Sequence, residues 1–168
     1  LNWGTPFTLR PKALRFDYRV EVPVSHTRIR QDGCSKASTV AGSDYCTAVL
    51  YLQKRHEDAK GNITAQRVGT VVVRYGRSTN GWVDGATYEI NYGDITGKPF
   101  YDKATMGLRT TDYARNSKGQ SVIIRETGWA NANETPTHIT LQFSSSHGGA
   151  YVGTPGNTFW IDNVRLVY

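Results

Sequence analysis

The chain is short of everything that would mark a helical, membrane-spanning or cofactor-dependent protein. No apolar run approaches the roughly 18 residues that a membrane helix needs. No window holds a 3.6-residue apolar period, so helix should be scarce. There is no glycine-rich phosphate loop, no dinucleotide fingerprint, no Gly-x-Ser-x-Gly elbow and no His-Glu-x-x-His pair. Cysteine is limited to Cys34 and Cys46, and two sulfurs without a third ligand exclude a sulfur-rich zinc cluster. They could bridge a loop to the following strand in an oxidising compartment, or stay free thiols in a reducing one. The four histidines, at 26, 56, 138 and 147, lack ligand spacing, so no metal site is expected from them. There is also no internal repeat, no linker, no signal peptide and no initiator methionine; Leu1 reads as a cut end.

What is present is β-forming. The 168 residues fit one domain and carry ten Tyr, four Trp and seventeen Gly, a composition of strands and turns. The stretch THITLQFSSSHGGAYVGTPGNTFWIDNVRLVY reads as strand, glycine-rich loop, strand. Ile139, Leu141 and Phe143 alternate with His138, Thr140 and Gln142, a period of two that puts the apolar side chains on one face. In the last strand Phe159 and Ile161 share one parity, and Val164, Leu166 and Tyr168 the other. The switch predicts a one-residue bulge at Asp162–Asn163. Leu14, Phe16, Tyr18, Val20 and Val22 alternate with charged residues until Pro23 ends the strand. Residues 24–43 read as a long loop. The strand DYCTAVLYLQKR is apolar on both parities from Cys46 to Leu52, which predicts cover on both faces. It forms a hairpin with QRVGTVVVRY. Further strands are expected over ATYEINY, TMGLRT and SVIIR. About eight strands at this spacing predict a single two-sheet antiparallel β-sandwich, or jelly roll, over 1–168. The core list is Leu14, Phe16, Tyr18, Val20, Ile139, Leu141, Phe143, Ile161, Val164 and Leu166.

The net charge is +6, which raises nucleic acid as a partner. The basic residues are spread along the chain, however, and Arg15, Asp17, Arg19 and Glu21 mix both signs on one strand face, as a solvated face does. Nucleic acid is therefore not the expected partner. Glycoside hydrolysis needs two carboxylates flanking one bond. Glu89, Glu126 and Asp112 lie in or near predicted strands, but nothing in sequence brings a pair together, and no catalytic residue is assigned. Aromatics point more directly to sugars, whose flat C–H faces rest on exposed rings. Trp82 and Trp129 stand among turn formers, Tyr151 lies in the glycine-rich loop, and Trp160 points away from the core parity. With Arg109 and Asp112 as polar partners beside Tyr113, these residues are the expected ligand site. Asp162 and backbone carbonyls leave a structural calcium ion open.

GTPFTLRPKALRFDY, YCTAVLYL, YGDITGKP and the C-terminal stretch, in that order, resemble the PCMD family of carbohydrate-metabolism domains. Its members are found mainly in exported and surface lipoproteins of Bacteroidetes. The ending is the most specific part: phenylalanine, serines, a Gly-x-x-Gly-x-Thr loop, then Ile-Asp-Asn-Val. The resemblance implies a jelly roll, an exported protein at the cell surface or in the periplasm, and glycan capture or processing; it supplies no active site. In an exported chain the even cysteine count predicts a Cys34–Cys46 disulfide. The leading expectation is a monomeric, non-catalytic module binding a polysaccharide or oligosaccharide, with no membrane contact of its own. A glycan-processing enzyme and a spacer domain without a ligand are the alternatives.

Overall fold

The computed structural model describes residues 2–168, in thirteen strands and one turn of helix. The strands are β1 (Thr5–Pro6), β2 (Ala13–Glu21), β3 (Thr27–Arg30), β4 (Ser38–Ala41), β5 (Cys46–Glu57), β6 (Ile63–Tyr75), β7 (Val83–Glu89) and β8 (Asn91–Tyr92). The helix α1 (Lys103–Met106) precedes β9 (Tyr113–Arg115), β10 (Ser121–Trp129), β11 (His138–Ser144), β12 (Val152–Gly153) and β13 (Thr158–Val167). The fold is all-β, as the alternating sequence predicts.

The largest sheet runs β1-β11-β5-β6-β10-β9, with β8 added beside β6, and curls into a half-barrel. A three-stranded sheet, β13-β2-β7, lies against its convex face. Between them sits the main core. Leu14, Phe16 and Val20 of β2 meet Ala48, Leu50 and Leu52 of β5 and Val68 and Val71 of β6, all buried. Aromatic rings fill the centre: Phe143 meets Phe16 edge-on at 5.0 Å, and Tyr18 lies 4.6 Å from Tyr75. Such pairs contribute about 0.5–1.5 kcal/mol beyond their buried area.

The predicted bulge in β13 is present. Asp162 pairs with Asp17 and Arg165 with Arg15, so Asn163 and Val164 together face Phe16. Asn163 takes a left-handed φ of 50°, a conformation that asparagine tolerates better than most residues. The extra residue restores the inward parity for Leu166, which packs on the core.

Several expectations are corrected. Val164 is 44% exposed because it sits in the bulge itself, and Leu141 is 39% exposed. Leu141 faces the core side, opposite Leu50, but β1 pairs with β11 only at His138 and Ile139. Beyond that short strand the sheet edge is open. The sheets are not wholly antiparallel: β10 runs parallel to β6, and the 45 residues between them supply the long crossover that a parallel pair requires. Residues 24–43 are not one loop. They hold β3 and β4, which join β12 in a second three-stranded sheet. TMGLRT is not a strand; Thr105 and Met106 are the last two residues of α1, whose N-cap Asp102 accepts from the Ala104 N–H at 3.0 Å. The cysteines do not pair. Cys34 is exposed at the tip joining β3 to β4, and Cys46 is buried at the start of β5. The Cys46 thiol points between the Ser145 and Thr158 carbonyls. Burial, with the Asp44 charge nearby, pushes its pKa up to about 11.

Candidate functional site

The apolar second parity of β5 finds its cover inside the half-barrel. β6 carries a bulge at Val68, so Leu52 pairs with Gly69 and Gln53 with Arg67. The bulge keeps Val68 in the core and turns Arg67, Ala65 and Ile63 into the concave face. One end of that face is filled. Ile63 and Ala65 pack with Ile124 and Ala114, with Trp3 and Val122 against them.

Beside this plug lies a buried polar network. Arg67 and Glu126 form an ion pair with both side chains almost wholly enclosed (0% and 1% exposed). The Glu126 carboxylate accepts from Arg67 Nε at 2.6 Å, Gln53 Nε2 at 2.6 Å and the Arg109 backbone N–H at 2.7 Å, and also from Arg67 Nη2. The Arg67 guanidinium lies 3.6 Å from the centre of the Tyr51 ring, within cation–π range. With four donors on two oxygens, Glu126 has no lone pair directed at a substrate. Its bond to Arg109 N instead fixes the chain segment that follows α1.

The other end of the concave face is open. It forms a groove of about 710 Å³, within the range of small-molecule sites. Its floor is Thr47, Val49 and Tyr51 of β5, Val72 and Arg74 of β6, and Gln142 and Ser144 of β11. Register explains the grouping, since Gln142 pairs with Val49 and Ser144 with Thr47. Trp3, Thr105 and Arg109 form one wall; Tyr45, Ser146, His147, Gly149 and Ala150 form the other. Among the described residues no carboxylate lines the groove. A smaller hollow of about 360 Å³ opens between β6 and β7 and is mostly apolar.

The Tyr45 wall is built on Asp44, whose side chain is 1% exposed. Burial alone would push its carboxyl up. Donation from Ser146 Oγ and the Tyr45, His147 and Thr154 N–H groups outweighs that and holds it below the ordinary 3.8. Asp44 also meets His147 Nδ1 at 2.9 Å, while Arg28 Nη1 meets His147 Nε2 at 3.1 Å. An arginine can only donate, so Nε2 accepts and the proton sits on Nδ1, facing Asp44. Burial, together with Arg28 and Arg74, lowers the His147 pKa against the pull of Asp44. The neutral imidazole stacks on Tyr45 at 3.6 Å between centroids, 4° from parallel. Tyr45 is thereby held as a wall.

On the opposite wall Arg109 makes a two-pronged bond to Asp112, Nε and Nη2 each at 2.8 Å. That pairing raises the Arg109 pKa. Asp112 is buried behind the arginine.

The six residues expected from sequence are therefore dispersed. Arg109 lines the groove, Asp112 positions it from behind, and Tyr151 follows the Gly149–Ala150 rim, 63% exposed with φ at 64°. Trp129 is not in a loop; it ends β10, half-buried, edge-on to Tyr101 and 5.7 Å from the Arg67 guanidinium. Trp160 does face outward, but on the three-stranded sheet, with Arg19 stacked over it at 4.7 Å. Trp82 is 48% exposed at the end of a loop bound to β2 through Thr79. Tyr45, Tyr51, Arg74, Gln142 and His147 were not anticipated. The usable signal was the double-sided apolar pattern of β5, because its second face must meet something. Among the described residues no three His, Cys, Asp or Glu side chains converge as a metal site. The Asp162 carboxylate accepts from the Asn163 N–H at 2.7 Å.

No protein-family model and no curated protein sequence matches the chain. Among solved structures, it is similar to a protein of Bacteroides vulgatus ATCC 8482 described as a "putative glycoside hydrolase". The TM-score is 0.51 at 17% identity, over 98% of this chain and 54% of that protein. The likeness is one of fold, and this chain spans about half the length of its neighbour.

Proposed function

We propose that this chain is a non-catalytic glycan-binding module that holds a polysaccharide or oligosaccharide in the half-barrel groove. One observation carries the reading. The groove joins aromatic walls to a floor of arginine, amide and hydroxyl groups, and among the described residues no carboxylate lines it. Sugars need an apolar platform beside mixed donors and acceptors. Hydrolysis by the usual route needs two carboxylates about 5–9.5 Å apart across the scissile bond. The carboxylates around it are committed to protein donors: Glu126 to four, Asp112 to Arg109, Asp44 to Ser146, His147 and backbone N–H groups, and Asp102 to Ala104, Thr105 and Arg74. A glycan-processing enzyme is the second reading, favoured by the description of the Bacteroides vulgatus neighbour.

The reading extends to setting. We place the chain in the PCMD family as a monomeric jelly roll, exported to the cell surface or periplasm of a Bacteroidetes-type bacterium. The same reading gives it no nucleic-acid partner, no cofactor and no membrane contact. A glycan array followed by product analysis of the hits tests the function. Binding without new reducing ends is expected. Cleavage of a bound glycan would establish the enzyme instead, and an empty array would leave a spacer domain. Tyr45→Ala, which removes one stacked ring, is expected to weaken a hit about five- to 150-fold.

A further inference from the structure

We infer that the groove takes an anionic glycan, one whose sugars carry carboxylates or sulfate esters. The inference rests on the glycan-binding reading above and narrows it to a substrate class. Its basis is which polar atoms around the groove are already committed and which are not. The carboxylate acceptors around the groove are spent. Asp44 is saturated by backbone N–H groups, Ser146 and His147. Both Asp112 oxygens are held by Arg109. Asp102 receives the Ala104 N–H, the Thr105 hydroxyl and Arg74.

The donors are not spent. Arg74 touches Asp102 only through Nη1, at 3.1 Å, and its side chain stays 45% exposed on the groove floor. Its Nη2 and Nε have no partner among the described residues. Arg109, which lines the groove, uses Nε and Nη2 and leaves Nη1 without a partner among the described residues. The Gln142 amide has no hydrogen-bond partner among the described residues either, and it offers two N–H donors beside one acceptor oxygen. His147, already neutral and bonded at both nitrogens, adds no acceptor. A neutral sugar hydroxyl both donates and accepts, so it suits a site with both kinds of group; a carboxylate or sulfate only accepts. Two guanidinium groups with free N–H atoms, one clamped in place, match such an anion. The net charge of +6 favours the same ligands at longer range.

The experiment is an array bearing neutral glycans beside two acidic pairs: oligogalacturonate with its methyl ester, and a sulfated oligosaccharide with its desulfated form. Hits confined to the charged members are expected, with affinity falling as NaCl rises. The pair that responds identifies the carboxylate or the sulfate as the recognised group. Arg74→Gln, at an exposed position, is expected to keep the melting temperature and to weaken the acidic hit about tenfold or more. Arg74→Lys should retain more binding than Arg74→Gln. Equal binding of neutral and charged members, or wild-type affinity in Arg74→Gln, overturns the anionic inference and leaves the glycan reading standing. An array with no hit of any kind overturns both.

Discussion

Replacing Glu126 by Gln keeps the shape of the side chain and removes its charge. The consequence follows from the surroundings of Arg67. Its guanidinium is fully enclosed, and beyond Glu126 it has a 3.3 Å bond to Thr70, a 3.5 Å contact to the Gly107 carbonyl and the rings of Tyr51 and, at 5.7 Å, Trp129, none of them a counter-charge. The substitution also places an amide NH₂ where Arg67 and the Arg109 N–H both donate. Breaking one partner of a buried pair costs about 3–5 kcal/mol. For a chain of this size each kcal/mol moves the melting temperature by about 2–4 °C, so a drop of roughly 6–20 °C is expected. The isolated charge, rather than lost volume, causes the damage, and a double variant separates the two. Adding Arg67→Met removes the stranded cation and should recover part of the loss. Thermal and urea unfolding followed by circular dichroism provide the measurement. A Glu126→Gln shift under about 2 °C, or a double variant less stable than the single one, would refute the reading that a stranded Arg67 charge sets the cost.

The remaining predictions concern accessible chemistry. In the native, unreduced protein Cys34 should react rapidly with a thiol reagent at pH 8 while Cys46 does not, because Cys46 is buried and its pKa lies near 11. Unfolding should reveal two thiols, and none would mean that the disulfide forms after all. His138 and His147 both have pKa values lowered below 6.5, chiefly by burial. A base depressed in the folded state contributes stability fully above its unfolded pKa, so melting temperature should hold above about pH 6.5 and fall as pH drops through the folded values. His147→Gln should flatten part of that decline. Gly61→Ala should destabilise by about 1–2 kcal/mol, since φ is +91° there and an added Cβ would meet the Asn116 amide at 2.5 Å. Trp82→Ala, outside the groove, should change stability by under about 0.5 kcal/mol and leave glycan binding intact.

The strands most legible in the sequence are those with one dry face and one wet face. β2 reads directly from Leu14, Phe16 and Val20, and the β13 bulge reads from the parity switch at Asp162. β3 and β4 were illegible because each has four residues, mostly exposed, and no apolar period to betray it. Their sheet is held by pairing with one another and with Val152–Gly153, a contact across more than a hundred residues. The groove was hidden for a related reason. Gln142 and Ser144 occupy the polar parity of β11, which looks like a solvated face until the register sets them against Val49 and Thr47. Arg109, singled out because a charged pair beside Tyr113 had no core role, lines the groove. Trp82 and Trp160 lie outside the groove, since an outward ring on a strand, as at Trp160, says nothing about which sheet curls into a hollow. The disulfide failed on burial: one thiol is enclosed at the start of β5 and the other is exposed at a turn tip.

The claim that the concave groove is the ligand site is tested most directly by amide chemical-shift mapping. Isotopically labelled protein would be titrated with an oligosaccharide hit from the array. The account predicts shifts concentrated at Tyr45, Thr47, Arg74, Arg109, Gln142, Ser144, Gly149 and Ala150, the two walls and floor of one cavity. Shifts clustered instead on Arg19, Trp82 and Trp160, with the groove silent, would contradict it.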